Sequence, residues 1–375
     1  MVEFNIVAPT AGDRLLAGGG APLDPSRRDP WNGKANRVPT LNYIQDFFRE
    51  AERAGFDSIL LGTGDSLLTD PLVSASAVIS ATERIKFLMA IRPGVTAPAL
   101  FARQLAAIDH YSEGRALVNI VTGGSPADLA ADGDFLDHSA RYKRTREFVY
   151  LIRRLFEDEH VNHAGDYYRL ENAFLELKSR DRSCPAIYLG GQSGSAMNVA
   201  AELADVYLMY SETLDSDHSR MRDIQARAAS FGRTIETGIT FIVVVGNTEE
   251  EALRKARALI PTGSEAADRK RDYVLSGESA GLKRLHTLME GAKEQDYWLG
   301  PNRWAGLTQV TSGSSVTIVG TPDQVTDRIV EYAELGFTKF LFRGFPLLES
   351  ARELGEHIIP RVQARLRAAA KEASL

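Results

Sequence analysis

Short β-branched and apolar runs alternate with amphipathic stretches of helical length along almost the whole chain, and this alternation constrains the fold more than any other feature. The apolar runs are Phe4 to Ala8, Ser58 to Leu61, Ile85 to Ile91, Ala116 to Val121, Ala186 to Leu189, Val206 to Met209, Ile239 to Val245 and Lys339 to Phe342. Helical stretches open near Thr40, Pro71, Ala97, Asp137, Ser193, Asp215, Thr248 and Leu347. A strand followed by a helix and then another strand returns the chain parallel to itself, with the helix covering the sheet. Open sheets usually hold fewer units than the eight counted here, whereas eight close a barrel. The expected fold is therefore an α/β (β/α)8 TIM barrel. Barrels run long as one domain, so the 375 residues are expected to form a single barrel domain over 1–375.

Two segments interrupt the alternation. Residues 10–39 are rich in Gly, Pro and Arg and are longer than a barrel loop needs to be. Residues 263–316 form an insertion before the last strand, with a charged helical start and Pro301-Asn302-Arg303-Trp304-Ala305-Gly306 near its end. Long segments of this kind are usually lids or binding loops, and in a barrel function sits on the loops after the strand C-termini. The first is read as a mouth loop. The second is read either as a mobile lid or as a packing appendage or subunit contact.

Charge and composition exclude several classes. The 44 Lys and Arg against 50 Asp and Glu leave a net charge of −6, without the basic clustering that a nucleic-acid partner requires. No apolar run approaches the roughly 18–20 residues that span a bilayer. The start, Met1-Val2-Glu3-Phe4-Asn5-Ile6, lacks a signal-peptide pattern, so a cytoplasmic protein is expected. Cys184 is the sole cysteine and cannot form an internal disulfide or a Cys-based zinc site; it serves either packing or nucleophilic chemistry. The seven histidines show no metal-binding spacing, and no metal site is expected. No G-x-G-x-x-G follows the first strand, and there is no nucleophile elbow.

Three local patterns place polar groups at strand ends and helix starts. Gly190-Gly191-Gln192-Ser193-Gly194-Ser195 joins a strand end to a helix start. Free backbone N–H groups, the helix dipole and serine hydroxyls there favour a phosphate, and glycines let it come close. The same residues also make an ordinary Ser-capped helix after a tight turn. Asn119 and Thr122 end the fourth strand, where polar side chains face either the barrel mouth or loop backbone. His138 opens a helix and is either a ligand neighbour or a surface residue.

These patterns stand in a longer ordered set. It runs through Arg92-Pro93-Gly94-Val95-Thr96-Ala97-Pro98, Asp109-His110-Tyr111-Ser112-Glu113-Gly114-Arg115 and Val118-Asn119-Ile120-Val121-Thr122-Gly123. It continues through Asp132-Gly133, Asp137-His138-Ser139-Ala140-Arg141-Tyr142, the 190–195 loop and Asn302-Arg303-Trp304-Ala305-Gly306. In order and spacing the set resembles the bacterial-luciferase-like flavin-dependent monooxygenases, most of all the alkanesulfonate monooxygenases, and it covers nearly the whole chain. The resemblance implies a luciferase-like barrel that uses O2 and FMN, the latter arriving as FMNH2 from a separate NAD(P)H-dependent flavin reductase. It implies that Gly190, Gly191, Gln192, Ser193 and Ser195 hold the phosphate together with Tyr142. It also puts Asn119, Thr122 and His138 beside the flavin ring as candidates for catalytic contacts, and implies a homo-oligomer, dimer or tetramer.

Matched motif by motif, the sequence departs from the sulfonate enzymes around the substrate. The family histidine of Pro-Thr-His-Gly-Asp falls on Ala11, the cysteine after strand two on Leu67, and the strand-seven Arg and His on Thr240 and Ile242. The Tyr and His of Gly-Tyr-Pro-His fall on Phe345 and Leu347, the lid arginine on Thr311, and a tryptophan after strand six on Tyr210. The expected pocket comprises Phe4, Leu67, Tyr210, Ile242, Arg343, Phe345 and Leu347, and desolvating a sulfonate in it would be costly. A small, largely apolar or neutral substrate is expected, and a simple alkanesulfonate is not. Arg343 either clamps an anionic tail or pairs with a loop carboxylate; Arg14, Arg27 and Arg28 belong to the mouth loop, and Arg92 to the end of strand three near the flavin. Two rival readings keep the barrel, an F420-dependent oxidoreductase and a non-catalytic flavin-binding protein.

Overall fold

The computed structural model describes residues 2–10, 12–14, 35–37, 39–62, 69–179, 183–260, 265–311 and 316–372. The apolar runs form strands β1 (Glu3–Val7), β2 (Ser58–Leu61), β3 (Lys86–Ile91), β4 (Ala116–Ile120), β5 (Ile187–Gly190), β6 (Val206–Tyr210), β7 (Glu236–Val245) and β8 (Lys339–Arg343). They pair in parallel in the order β6-β5-β4-β3-β2-β1-β8-β7, and β6 pairs with β7 to close the ring of eight. The (β/α)8 barrel with an insertion before the last strand is thus present.

Period-two alternation separates two apolar layers. Phe4, Ile59, Met89, Val118, Leu189, Tyr207, Phe241 and Phe340 point outward and share one core with the covering helices. The residues between them, Leu88, Leu117, Tyr188 and Val206 with Leu60 and Leu208, form a second cluster inside the barrel. Polar side chains complete the interior. Ser58 donates to Asn5 at 2.6 Å, and at the N-terminal end Lys339 meets Glu3 at 3.0 Å and Glu236 at 3.2 Å.

The outer helices are α1 (Leu41–Arg53), α2 (Pro71–Val78), α3 (Pro98–Tyr111), α4 (His138–Glu157), α5 (Gly194–Leu203), α6 (Leu214–Ser230) and α7 (Glu249–Ala258). Their starts follow capping chemistry: Thr40, Asp70, Asp137, Ser193, Thr213 and Thr248 each accept a backbone N–H of the first turn.

The insertion departs from a structureless loop. It carries α8 (Glu265–Ser276) and α9 (Ala280–Gly291), followed by an antiparallel ribbon of Trp298–Gly300 and Arg303–Trp304. The ribbon joins a further strand, Thr317–Gly320, that the sequence reading does not assign. This strand is possible because β7 is ten residues long. Its Gly238–Ile242 portion pairs with β8, and its Ile242–Val245 portion pairs with Thr317–Gly320. Trp304, Leu307 and Val310 of the insertion pack with Ile242 and Val244 of β7, Ala252 and Ala256 of α7 and Val319 in a further apolar core shared with the barrel. Also unassigned from sequence are α10 (Pro322–Leu335), which starts with a Thr321–Gln324 capping box, and the hairpin of Val161–Ala164 with Arg169–Ala173. After β8 come α11 (Leu347–Glu353) and α12 (Ile359–Glu372).

Candidate active site at the barrel mouth

The turn from β5 into α5 is built for close approach. Gly191 has φ +116°, and a Cβ there would lie 2.8 Å from Ala196 Cβ and 2.9 Å from the Tyr142 hydroxyl. Tyr207 donates to the Gly191 carbonyl at 2.7 Å and fixes the turn from beneath. Ser193 accepts the Ala196 N–H at 3.2 Å, so the Ser-capped helix expected from sequence is present. That cap uses the serine oxygen as acceptor and leaves its O–H to donate, while Gly194 and Ser195 present the open first turn of α5. Gln192 is buried; its amide donates to the Tyr210 carbonyl at 3.3 Å, and its Oε1 is buried without a hydrogen-bond partner.

Tyr142 reaches this turn from α4. Burial raises its pKa, against the influence of the neighbouring Thr122 and Ser193 hydroxyls, so it stays a neutral donor. One helical turn earlier on the same face, the His138 ring lies 4.9 Å from the Tyr142 ring, centroid to centroid. Asn119 pairs in register with Ala90 and Tyr188, facing the barrel interior, and Thr122 follows just past the strand end. Both are buried. The structure thus gathers Gly190, Gly191, Gln192, Ser193, Ser195, Tyr142, His138 and Thr122 around one turn, with Asn119 on the adjacent strand. A half-buried turn with the free N–H groups of the α5 start, the Ser193 and Tyr142 hydroxyls and open space over Gly194 fits an anion such as a phosphate.

The opposite wall holds a second group. Tyr210 registers with Thr240, Thr240 with Leu341, and Ile242 with Arg343, so these side chains share the interior face near the mouth. Burial raises the Tyr210 phenol and lowers the Arg343 guanidinium, and each tempers the shift of the other. Ile242 and Phe345 belong to the apolar core under the insertion.

Several expectations need correction. Phe4 is not in the mouth: its ring is fully buried in the outer layer, stacked on Phe340 and Phe342, because odd and even positions of β1 face opposite sides. Leu347 packs into the same outer core at the start of α11. Thr311 is buried and donates to the Leu307 carbonyl at 2.9 Å, inside the insertion. Arg343 has no carboxylate partner among the described residues; of the loop acids, Asp24, Asp29 and Asp65 lie outside them. Leu67, Ala11, Arg27, Arg28 and most of 10–39 lie outside the described residues, as does the Arg14 side chain.

Sequence reasoning missed how the insertion meets the site. The Glu278 N–H donates to the Gly124 carbonyl at 2.7 Å, and its carboxylate pairs with buried Arg141. Gly281 of α9 lies over Gln192 and Tyr210: a Cβ there would be 2.9 Å from Gln192 Oε1 and 3.4 Å from the Tyr210 ring. Arg92, expected near the flavin, pairs with Asp132, and Arg144 pairs with Asp134 against Gly94. Beside the start of α5 a cavity of about 370 Å³ is lined by Gln192, Gly194, Arg220, Asp223 and Arg284 among others. Two of its arginines are paired, Arg220 with Glu212 at 3.0 Å and Arg227 with Asp223 at 2.9 Å, while Arg284 shares Glu212 at 3.8 Å and leaves a surplus positive charge. Burial pushes the Cys184 thiol up to about 12, which favours packing over nucleophilic chemistry. Among the described residues no cluster of His, Cys, Asp and Glu is arranged to hold a metal, and no helix is long and apolar enough to cross a membrane.

The profile of the luciferase-like monooxygenases matches residues 20–339. Among solved structures, a riboflavin lyase (RcaE) with modified FMN and riboflavin superimposes with a TM-score of 0.78 at 22% identity, covering 97% of this chain and 92% of the other. DmoA from Hyphomicrobium sulfonivorans gives 0.77 at 20% identity over 97% and 88%. The coenzyme F420-dependent tetrahydromethanopterin reductase of Methanopyrus kandleri gives 0.65 at 17% identity over 96% and 99%. At these identities the solved structures speak to the fold.

Proposed function

The chain belongs to the luciferase-like monooxygenases, and from that premise we propose that it is a two-component, FMNH2-dependent monooxygenase acting with O2 on a small organic substrate of largely apolar body. The observation that carries this reading is the Gly191 turn, where the start of α5, the Ser193 hydroxyl and the neutral Tyr142 hydroxyl converge, with open space over Gly194, where a Cβ would meet nothing within 4 Å. In this reading the N–H groups of Gly194 and Ser195 with Ser193 and Tyr142 hold the FMN phosphate. Asn119 and Thr122 orient the ring edge from β4, and His138 stands beside it.

Bound reduced flavin supplies the electrons and the place where oxygen is activated. The chain's own part is orientation and exclusion of water. Tyr210, Ile242 and the insertion close the mouth from the β6–β7 side, and a dry mouth protects an oxygen-reactive centre. With the family's sulfonate-contacting positions replaced here by Thr240, Ile242 and Phe345, a simple alkanesulfonate is not the expected substrate. Reduced FMN would come from an NAD(P)H-dependent flavin reductase in the cytoplasm, and a homodimer or homotetramer is the working assembly.

The F420 reading is the alternative. An acidic cofactor tail needs surplus positive charge beside the phosphate turn; Arg220 and Arg227 there are paired with Glu212 and Asp223, and Arg284 is the one surplus cation among the described residues of that cavity. Anaerobic titration with reduced FMN and reduced F420, followed by rapid mixing with oxygen, tests the choice. Tight FMNH2 binding with an oxygen-dependent absorbance transient is expected; preference for F420 without such a transient would replace the reaction class.

A further inference from the structure

Buried arginines in this fold come with carboxylates. Arg92 pairs with Asp132, Arg141 with Glu278, Arg144 with Asp134, Arg220 with Glu212 and Arg303 with Glu331. Arg343, which is half-buried, has none among the described residues, and unlike half-buried Arg115, whose guanidinium donates to the Ser112, Ile85 and Ile79 carbonyls, it has no acceptor for its buried Nε. It ends β8 on the interior face, four residues beyond Lys339, which is neutralised by Glu3 and Glu236 at the other end of the barrel. Its guanidinium carbon sits 5.1 Å from the centre of the Phe345 ring, and its Nε is buried without an acceptor. Stacking on Phe345 covers one face of the guanidinium and leaves its in-plane edge to make hydrogen bonds. A half-buried cation without a counter-charge is costly, and a fold that neutralises its other buried arginines has no structural use for it.

Its position says what the missing charge belongs to. In the ring order, β8 lies four strands from β4 in either direction, directly across the barrel. A flavin held against β4 and β5 leaves Arg343 on the far wall, with the substrate space between. We propose that Arg343 clamps a carboxylate on the substrate, so that the substrate class is an organic acid with an apolar body. A carboxylate presents two coplanar oxygens to the guanidinium edge, while Ile242, Phe345 and Tyr210 accept the carbon skeleton. This inference rests on the flavin placement above and replaces a neutral substrate with an anionic one.

The test uses the full chain and a matched pair of probes, octanoate and octanamide, with benzoate and benzamide as a second pair. Calorimetric titration of wild type should show each carboxylate bound about tenfold or more tightly than its amide. Arg343→Met should abolish that preference and leave amide binding and FMNH2 affinity unchanged. Arg343→Lys, which keeps the charge but lacks the planar edge, should restore only part of the preference. Arg343→Met should also melt no lower than wild type, since it removes an uncompensated charge. The proposal is overturned if wild type binds neither carboxylate in the millimolar range or shows no preference, or if Arg343→Met retains that preference. It is equally overturned if this variant melts markedly lower or loses FMNH2 affinity, which would assign Arg343 to the scaffold or to the flavin. Failure of the flavin reading looks different: wild type would not bind FMNH2, whatever the carboxylate preference.

Discussion

At the scale of single residues, Gly191 is the most exposed to test. A side chain there meets two obstacles, a φ of +116° and contacts at 2.8 and 2.9 Å to Ala196 and Tyr142. Gly191→Ala should cost about 1–3 kcal/mol of stability through backbone strain alone, read in a denaturant titration. It should also weaken FMNH2 binding by more than tenfold, about 1.4 kcal/mol, because the turn must open where the phosphate is proposed to sit. Ser193→Ala keeps the turn free of strain but removes both the cap, about 1 kcal/mol of stability, and a hydroxyl proposed to hold the phosphate. FMNH2 affinity should again fall about tenfold or more, a hydrogen bond to a charged group being worth about 1.5–3 kcal/mol. This turn was legible in the sequence because all its parts are local: glycines for the conformation, serine for the cap, a helix beginning. The solitude of Arg343 was not legible, since it depends on the absence of carboxylates from distant segments.

Among elements, the junction of α6, α10 and the β6 loop carries a buried polar cluster with a pH signature. Asp217 is fully buried, accepts the Glu212 N–H at 2.9 and 3.0 Å and the Tyr332 hydroxyl at 2.9 Å, and lies beside Arg220. Burial pushes its carboxyl up to about 7 from an ordinary 3.8. The folded state therefore holds this proton more tightly than the unfolded chain does. Stability contributed by the neutral acid is fully present below about pH 4 and is lost as pH rises towards 7. Asp217→Asn should flatten that part of the stability–pH curve and leave the variant relatively more stable at pH 8 than at pH 5. A wild-type slope unchanged in the variant would place the titration elsewhere. Tyr332 comes from α10, one of the elements that sequence alone did not assign. The eight barrel units announced themselves by alternation and caps, but Thr317–Gly320 is four residues long and has meaning only as a partner for the overhang of β7. The parity of β1 set a similar limit, since alternation shows that Phe4 and Asn5 face opposite sides but not which side is the mouth.

For the molecule as a whole, the question is what the insertion does to the barrel it covers. The insertion's base is packed on β7 and α7 through a shared apolar core and the Thr317–Gly320 strand, while over the mouth it is held by the backbone bond from Glu278 to Gly124, the Arg141–Glu278 pair, and Gly281 over Gln192 and Tyr210. A lid can be built this way, anchored at its base and tied by polar contacts over what it covers. Glu278→Gln removes the charge while keeping an acceptor for Arg141, which also donates to the Leu136 carbonyl. Because buried Arg141 loses its counter-charge, the chain should lose about 1–3 kcal/mol of stability, and residues 265–311 should be cut faster in limited proteolysis than this loss alone explains. If the insertion is a lid over an oxygen-reactive flavin, the fraction of oxygen released as hydrogen peroxide should rise severalfold, because water reaches the mouth more often. Faster proteolysis with an unchanged peroxide fraction would make the insertion a packing appendage, as the sequence also allowed. The same variant should leave the octanoate preference intact, since Arg343 stands on β8 and none of the three contacts touches it.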